Sequence, residues 1–212
     1  MKRVFLISLI FGISIWALDG CSASSPRFGK SETKKTTGSS PKQGPRFSSK
    51  EAEEESKEDT KKVDPKEVEK IKTGERSFRS EKNNAIKPLD QSRMMREISR
   101  YMGVPYVSGG SSEEGMDCSG YTMVVYKNAL GRQLPRTSTE QAKMGIPVDF
   151  DKLKFGDLVF FNTTGTPASH VGIYLGDDLF AHASVSLGVT ISSLQSAYFS
   201  KRYECARRII IE

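Results

Sequence analysis

Cys118, His170 and His182 are the residues of this chain with the chemistry of covalent catalysis, and the two histidines are its whole histidine content. A thiol acts as a nucleophile when a base takes its proton and donors await the oxyanion that its attack creates. Cys118 follows a stretch containing Gly109, Gly110 and Gly115 and opens a predicted helix. Unpaired backbone N–H groups and the dipole at that end favour thiolate over thiol. His170 and His182 fall in adjacent strands of one predicted hairpin, which suits a base and its orienting group. Along residues 170–175, Val171, Ile173 and Leu175 alternate with His170, Gly172 and Tyr174. The apolar set is expected to face the core and to leave His170 toward the helix.

Whether the two imidazoles meet depends on the turn between them. A two-residue loop at Asp177 and Asp178 alone puts His182 on the opposite face. A three-residue loop over 176–178, or a bulge, makes the two histidines diagonal neighbours on one face, and this second arrangement is expected. On residue type alone, a single cysteine is most often a small buried hydrophobe and a strand histidine a structural hydrogen-bonding group. A Cys118–Cys205 disulfide would abolish the nucleophile and is not expected. No close pair of ligands, and no carboxylate at helical spacing from either histidine, points to a metal, and no cofactor is implied.

The elements that must position these groups lie in residues 89–212. Met94, Met95, Ile98, Tyr101 and Met102 recur on one side of a predicted helix over 90–102 that Gly103 stops. A second helix is predicted over 117–130 with Gly131 just past its end, and a short third one over 138–144. Strands follow at 157–161, 170–175, 179–184 and 203–211, with a helix near 193–200. Helices first and closely spaced strands afterwards indicate an α+β domain around an antiparallel sheet.

The remainder of the chain differs in kind. Lys2 and Arg3 precede the apolar run from Val4 to Leu18, so residues 1–20 read as a signal peptide. Leu18, Gly20 and Cys21 resemble a bacterial lipobox, with Asp19 departing from it, and mark Cys21 as the lipid attachment site. Ser22 after it is compatible with an outer membrane. Residues 21–88 are rich in Ser, Lys, Glu, Thr and Pro and are expected to form a disordered, lipid-attached tether, averaging roughly 45 Å end to end. Residues 89–212 hold 13 basic and 13 acidic side chains, so the net charge of +6 resides in the tail and the signal segment. A balanced domain argues against nucleic acid as a partner.

Several strings then converge. Val104-Pro105-Tyr106 with Gly109-Gly110, Asp117-Cys118-Ser119-Gly120, Leu134-Pro135-Arg136-Thr137-Ser138 with Gln141, Gly156-Asp157-Leu158-Val159-Phe160-Phe161, Ser169-His170-Val171-Gly172-Ile173-Tyr174 and His182-Ala183 occur in this order. Together they resemble the NlpC-type cell-wall cysteine peptidases. The resemblance implies a papain-like fold, with the nucleophile helix packed on a small antiparallel sheet. It implies that Cys118 attacks, that His170 carries the proton, and that His182 orients His170. It places Tyr106 beside the nucleophile as an oxyanion or substrate contact, and implies an enzyme acting on peptidoglycan stem peptides next to D-amino acids; the protein is expected to be monomeric. Asp117, Ser119 and Gly120 read as structural. Arg136, Thr137 and Ser138 read either as groove lining or, for Ser138, as a helix N-cap. The rival readings are a wall amidase or acyl transferase using the same pair, and an inactive wall-binding lipoprotein.

Overall fold

Strands that are apolar at every position need cover on both faces, and Leu158-Val159-Phe160-Phe161 is fully buried along its length. The computed structural model describes residues 63–73 and 88–209. Helices α1 (Pro65–Lys72) and α2 (Pro88–Arg100) come first, followed by a small hairpin of β1 (Ser111–Ser112) and β2 (Gly115–Met116). Helix α3 (Cys118–Leu130), the short α4 (Ser138–Gln141), β3 (Ile146–Val148) and one 3-10 turn (Phe150–Lys152) lead into the sheet. The rest of the chain is β4 (Leu158–Phe161), β5 (His170–Gly176), β6 (Leu179–Ser184), β7 (Gly188–Ser193), α5 (Ala197–Arg202) and β8 (Tyr203–Arg208). Six strands form one antiparallel sheet in the order β3-β8-β4-β5-β6-β7.

Alternation splits the side chains of this sheet into two clusters. Leu158, Phe160, Val171, Ile173, Leu175, Ala181 and Ile191 pack with Cys118, Tyr121 and Val125 of α3 and with Met94 and Ile98 of α2. Val159, Phe161, Tyr174, Phe180 and Ala206 pack on the other face with Tyr198 and Phe199 of α5. Helix α3 starts where Asp117 accepts from the Gly120 N–H, and it ends where Gly131, at φ 65°, takes the left-handed cap. These are the boundaries its sequence predicts. Strands β3 and β7 were not among the predicted ones, and α5 begins four residues later than the helix expected near 193–200.

One boundary expectation needs correction. Residues 21–88 do not act as tether throughout, because α1 lies within them and its Ile71 is fully buried in the main cluster. Asp64 caps α1 by accepting from Lys66 N–H, and Ser99 Oγ in α2 donates to the Ile71 carbonyl at 2.5 Å. The segment is polar on average, yet Val68 and Ile71, with Val63 just before the cap, give one helix an apolar edge that α2 covers. The expected signal peptide, Cys21 and the rest of the expected tether lie outside the described residues. Among the described residues no helix is long and apolar enough to cross a membrane.

Candidate active site

Cys118 occupies the first position of α3, and its side chain is free and 7% exposed. Its thiol points at the Ser169 carbonyl, 4.0 Å away, so the sulfur sits against the chain one residue before His170. Asp117 organises this corner. Its Oδ1 accepts from Gly120 N–H at 2.7 Å and its Oδ2 from Gly109 N–H at 2.9 Å, tying the glycine loop to the helix start. Arg136 grips the same carboxylate with both terminal nitrogens, at 2.9 and 2.7 Å, and also reaches Ser119 Oγ and the Gly110 carbonyl. Burial would push the Asp117 carboxyl up, but Arg136 and the two backbone donors outweigh it and hold the group below its ordinary range. Arg136 thus braces the turn that carries Cys118. The N-cap of α4 is Thr137, not Ser138.

The histidines meet as the bulge alternative requires. Asp177 and Asp178, both at positive φ, make a two-residue turn, and the register shifts between Tyr174 and Gly176. That extra residue restores His182 to the face of His170, and Nε2 of His170 lies 2.8 Å from Nδ1 of His182. A Cβ on Gly172 would lie 2.6 Å from Phe180 Cδ2 and 3.3 Å from His182 Cβ, so the diagonal contact needs glycine there.

The face, however, is the reverse of the expected one. His170 lies among Phe161, Phe199 and His182, in the layer away from α3, while the apolar set Val171, Ile173 and Leu175 packs against α3. The sheet is covered on both sides, so the apolar residues take the helix side and the imidazoles enter the aromatic layer under α5. Cys118 meets β5 at its start, where its thiol faces the carbonyl of Ser169, the residue before His170. Among the described residues, no hydrogen bond joins the thiol to either imidazole, and Nδ1 of His170 makes none.

Burial governs the protonation of the pair. It pushes the Cys118 thiol up to about 12, with the Asp117 charge adding to the effect, while backbone N–H groups of Val171 and Ser119 pull the other way. It lowers His170 to about 4, partly offset by Asp117, and lowers His182 well below the ordinary histidine value. Burial thus favours neutral thiol and neutral imidazole at rest, in contrast to the thiolate that the helix terminus alone favours. Tyr106 has its backbone bridged to Met116, two residues before Cys118, and its ring half-buried against the main cluster. Among the described residues no group of three or more His, Cys, Asp or Glu could hold a metal ion.

Sequence reasoning missed Ser192. Its Oγ is 2.7 Å from Nε2 of His182, and it is fully buried. It lies in β7, whose Gly188-Val189-Thr190-Ile191-Ser192-Ser193 run is too polar to stand out as a strand. Only the alternation of Val189 and Ile191 could have signalled it.

A free cysteine at the tip of a helix, packed on an antiparallel sheet whose adjacent strands carry two linked histidines, defines a papain-like α+β domain. The NlpC/P60 family model matches residues 103–208. The murein DD-endopeptidase MepS/murein LD-carboxypeptidase of Escherichia coli K12 is 43% identical over 128 residues, 60% of this chain and 68% of that protein. The probable endopeptidase NlpC of the same organism is 44% identical over 114 residues, 53% of this chain and 74% of that protein. Among solved structures, an NlpC/P60 family protein from Bacillus cereus superposes with a TM-score of 0.53 at 32% identity, covering 59% of this chain and 42% of the longer one. The chain belongs to the NlpC/P60 family.

Proposed function

We propose that this protein is a peptidoglycan endopeptidase that cuts stem-peptide or cross-link amide bonds next to D-amino acids. The observation that carries this reading is the placement of free Cys118 beside Ser169-His170, with His170 already tied through Nε2 to His182. The tie leaves Nδ1 of His170 to serve as the base. Sγ attacks the scissile carbonyl as its proton passes to Nδ1, and the oxyanion rests on the Cys118 N–H and the Tyr106 hydroxyl. His170 then gives its proton to the leaving amine, which departs as the thioester forms. A water molecule, losing its proton to His170, attacks the thioester, and the tetrahedral adduct collapses to the free acid and the thiol. The burial that keeps the pair neutral at rest suits this order, because charge develops only as the bond forms.

The same reading places the enzyme outside the cytoplasm, acting as a monomer. Residues 1–20 serve as signal peptide, and Cys21 carries the lipid, on a membrane facing the periplasm, the outer membrane being favoured. The chain after Cys21 acts as a leash as far as the docked helix α1. Similarity to wall peptidases and the lipobox-like string support it.

The test is to incubate the full chain and its Cys118→Ala variant with purified peptidoglycan and to read released fragments by mass spectrometry. New peptide ends with the intact protein alone are expected, and their identity names the bond. Binding by both proteins without cleavage of several wall types would instead indicate a wall-binding module.

A further inference from the structure

The proton on His170 cannot be placed without placing two others. Nδ1 of His170 takes the thiol proton only if the neutral ring carries its own proton on Nε2. That proton faces Nδ1 of His182 across 2.8 Å, so His182 must carry its proton on Nε2, where it faces Ser192 Oγ across 2.7 Å. Were Ser192 to donate instead, His182 would hold its proton on Nδ1, His170 would hold its proton on Nδ1 as well, and the base would be blocked.

We propose that Ser192 is a positioning residue whose hydroxyl accepts from His182 and so sets the tautomer of both imidazoles. The fold supports this independently of the sequence motifs. His170, His182 and Ser192 come from three successive antiparallel strands, each a diagonal neighbour of the next on one face. His182 and Ser192 are fully buried, so a lost partner leaves a polar group unsatisfied. Ser192 touches neither thiol nor substrate and acts through His182. When His170 becomes charged in the reaction, its Nε2–H still donates to Nδ1 of His182, and the same chain of acceptors supports the imidazolium.

The inference rests on the endopeptidase reading for the direction of proton flow, and its test has one arm that does not. The full chain, labelled with nitrogen-15 histidine, is compared with Ser192→Thr and Ser192→Val, which share one shape and differ in the hydroxyl. Wild type and Ser192→Thr are expected to show His182 protonated on Nε2, whereas Ser192→Val shows a mixed or reversed pattern. On peptidoglycan, Ser192→Val should lose about ten- to a hundredfold in kcat with KM unchanged, and Ser192→Thr should regain most of it. If the added methyl unfolds both, Ser192→Ala replaces the valine variant, with wild type as the hydroxyl control. Wild-type tautomers and wild-type kcat in the variant lacking the hydroxyl overturn the proposal. A tautomer shift in the variant lacking the hydroxyl, with no peptidoglycan cleaved by the wild-type chain, would overturn the endopeptidase reading and leave the assignment of Ser192 standing.

Discussion

Two opposing effects act on Cys118, and their sizes decide its resting state. A helix N-terminus favours an anion by about 0.3–1 kcal/mol, up to about 2 when partly buried. Raising the thiol from 9.0 to about 12, mostly by burial, corresponds to about 4 kcal/mol in the other direction. Burial wins, so the rate of alkylation by iodoacetamide should climb about tenfold per pH unit from pH 7 to 10. A plateau at or below pH 8 would show a thiolate already formed and would refute the neutral pair. His170 makes a second prediction. Its folded value, about 4, lies below the ordinary 6.5, so between those values the unfolded chain binds more protons than the folded one. The stability that depends on the neutral ring is whole above about pH 6.5 and is lost as pH falls toward 4. The urea midpoint should therefore drop between pH 7 and pH 5, and drop less in His170→Gln; equal drops in both proteins would remove His170 as the cause.

At the scale of elements, the hairpin β5–β6 does the positioning. Its bulge supplies the extra residue that returns His182 to the face of His170, and Gly172 leaves the space between them open. Gly172→Ala would press a methyl against the Phe180 ring and the Ala181 carbonyl, the latter at 2.9 Å. We expect a loss of about 1–3 kcal/mol in chemical unfolding, typical of overpacking, and a fall in peptidoglycan cleavage larger than that stability loss accounts for. Wild-type cleavage by this variant would mean that the imidazole contact tolerates displacement. Loop and helix are joined in a different way, by one carboxylate: Asp117 receives Gly109, Gly120 and Arg136 together, so the glycine loop, α3 and the segment before α4 share one anchor. Asp157 plays the matching part at the far side of the sheet, where Arg208 of β8 grips it at 2.8 and 2.7 Å at the start of β4.

The whole molecule is larger than its motifs. The family match begins at residue 103, yet α1 and α2 before it bury Ile71, Met94, Met95 and Ile98 in the same cluster as α3. Ile71→Ala in the full chain should therefore cost about 2–4 kcal/mol, as for other fully buried aliphatic side chains, read as a lower urea midpoint. An unchanged midpoint would mean that α1 is not held against α2. For the same reason a fragment starting at residue 89 would leave apolar surface of α2 uncovered, and the full chain is the better enzyme to assay.

Some of this was determined by the sequence alone. Cys118 after a glycine-rich loop, two histidines at hairpin spacing and the ordered strings around them identify the family, because each is a local pattern of residue type and backbone geometry. The limits of α3 were legible for the same reason, since Asp117 and Gly131 mark its ends by their own conformational preferences. Only the tertiary structure decided which face of the sheet holds the imidazoles. Alternation separates two sets of side chains but says nothing about which layer covers each, and here both faces are covered. The bulge, Ser192 behind His182, Arg136 on Asp117 and the docking of α1 were likewise beyond reach, because each joins residues far apart in the chain through packing that no local period encodes.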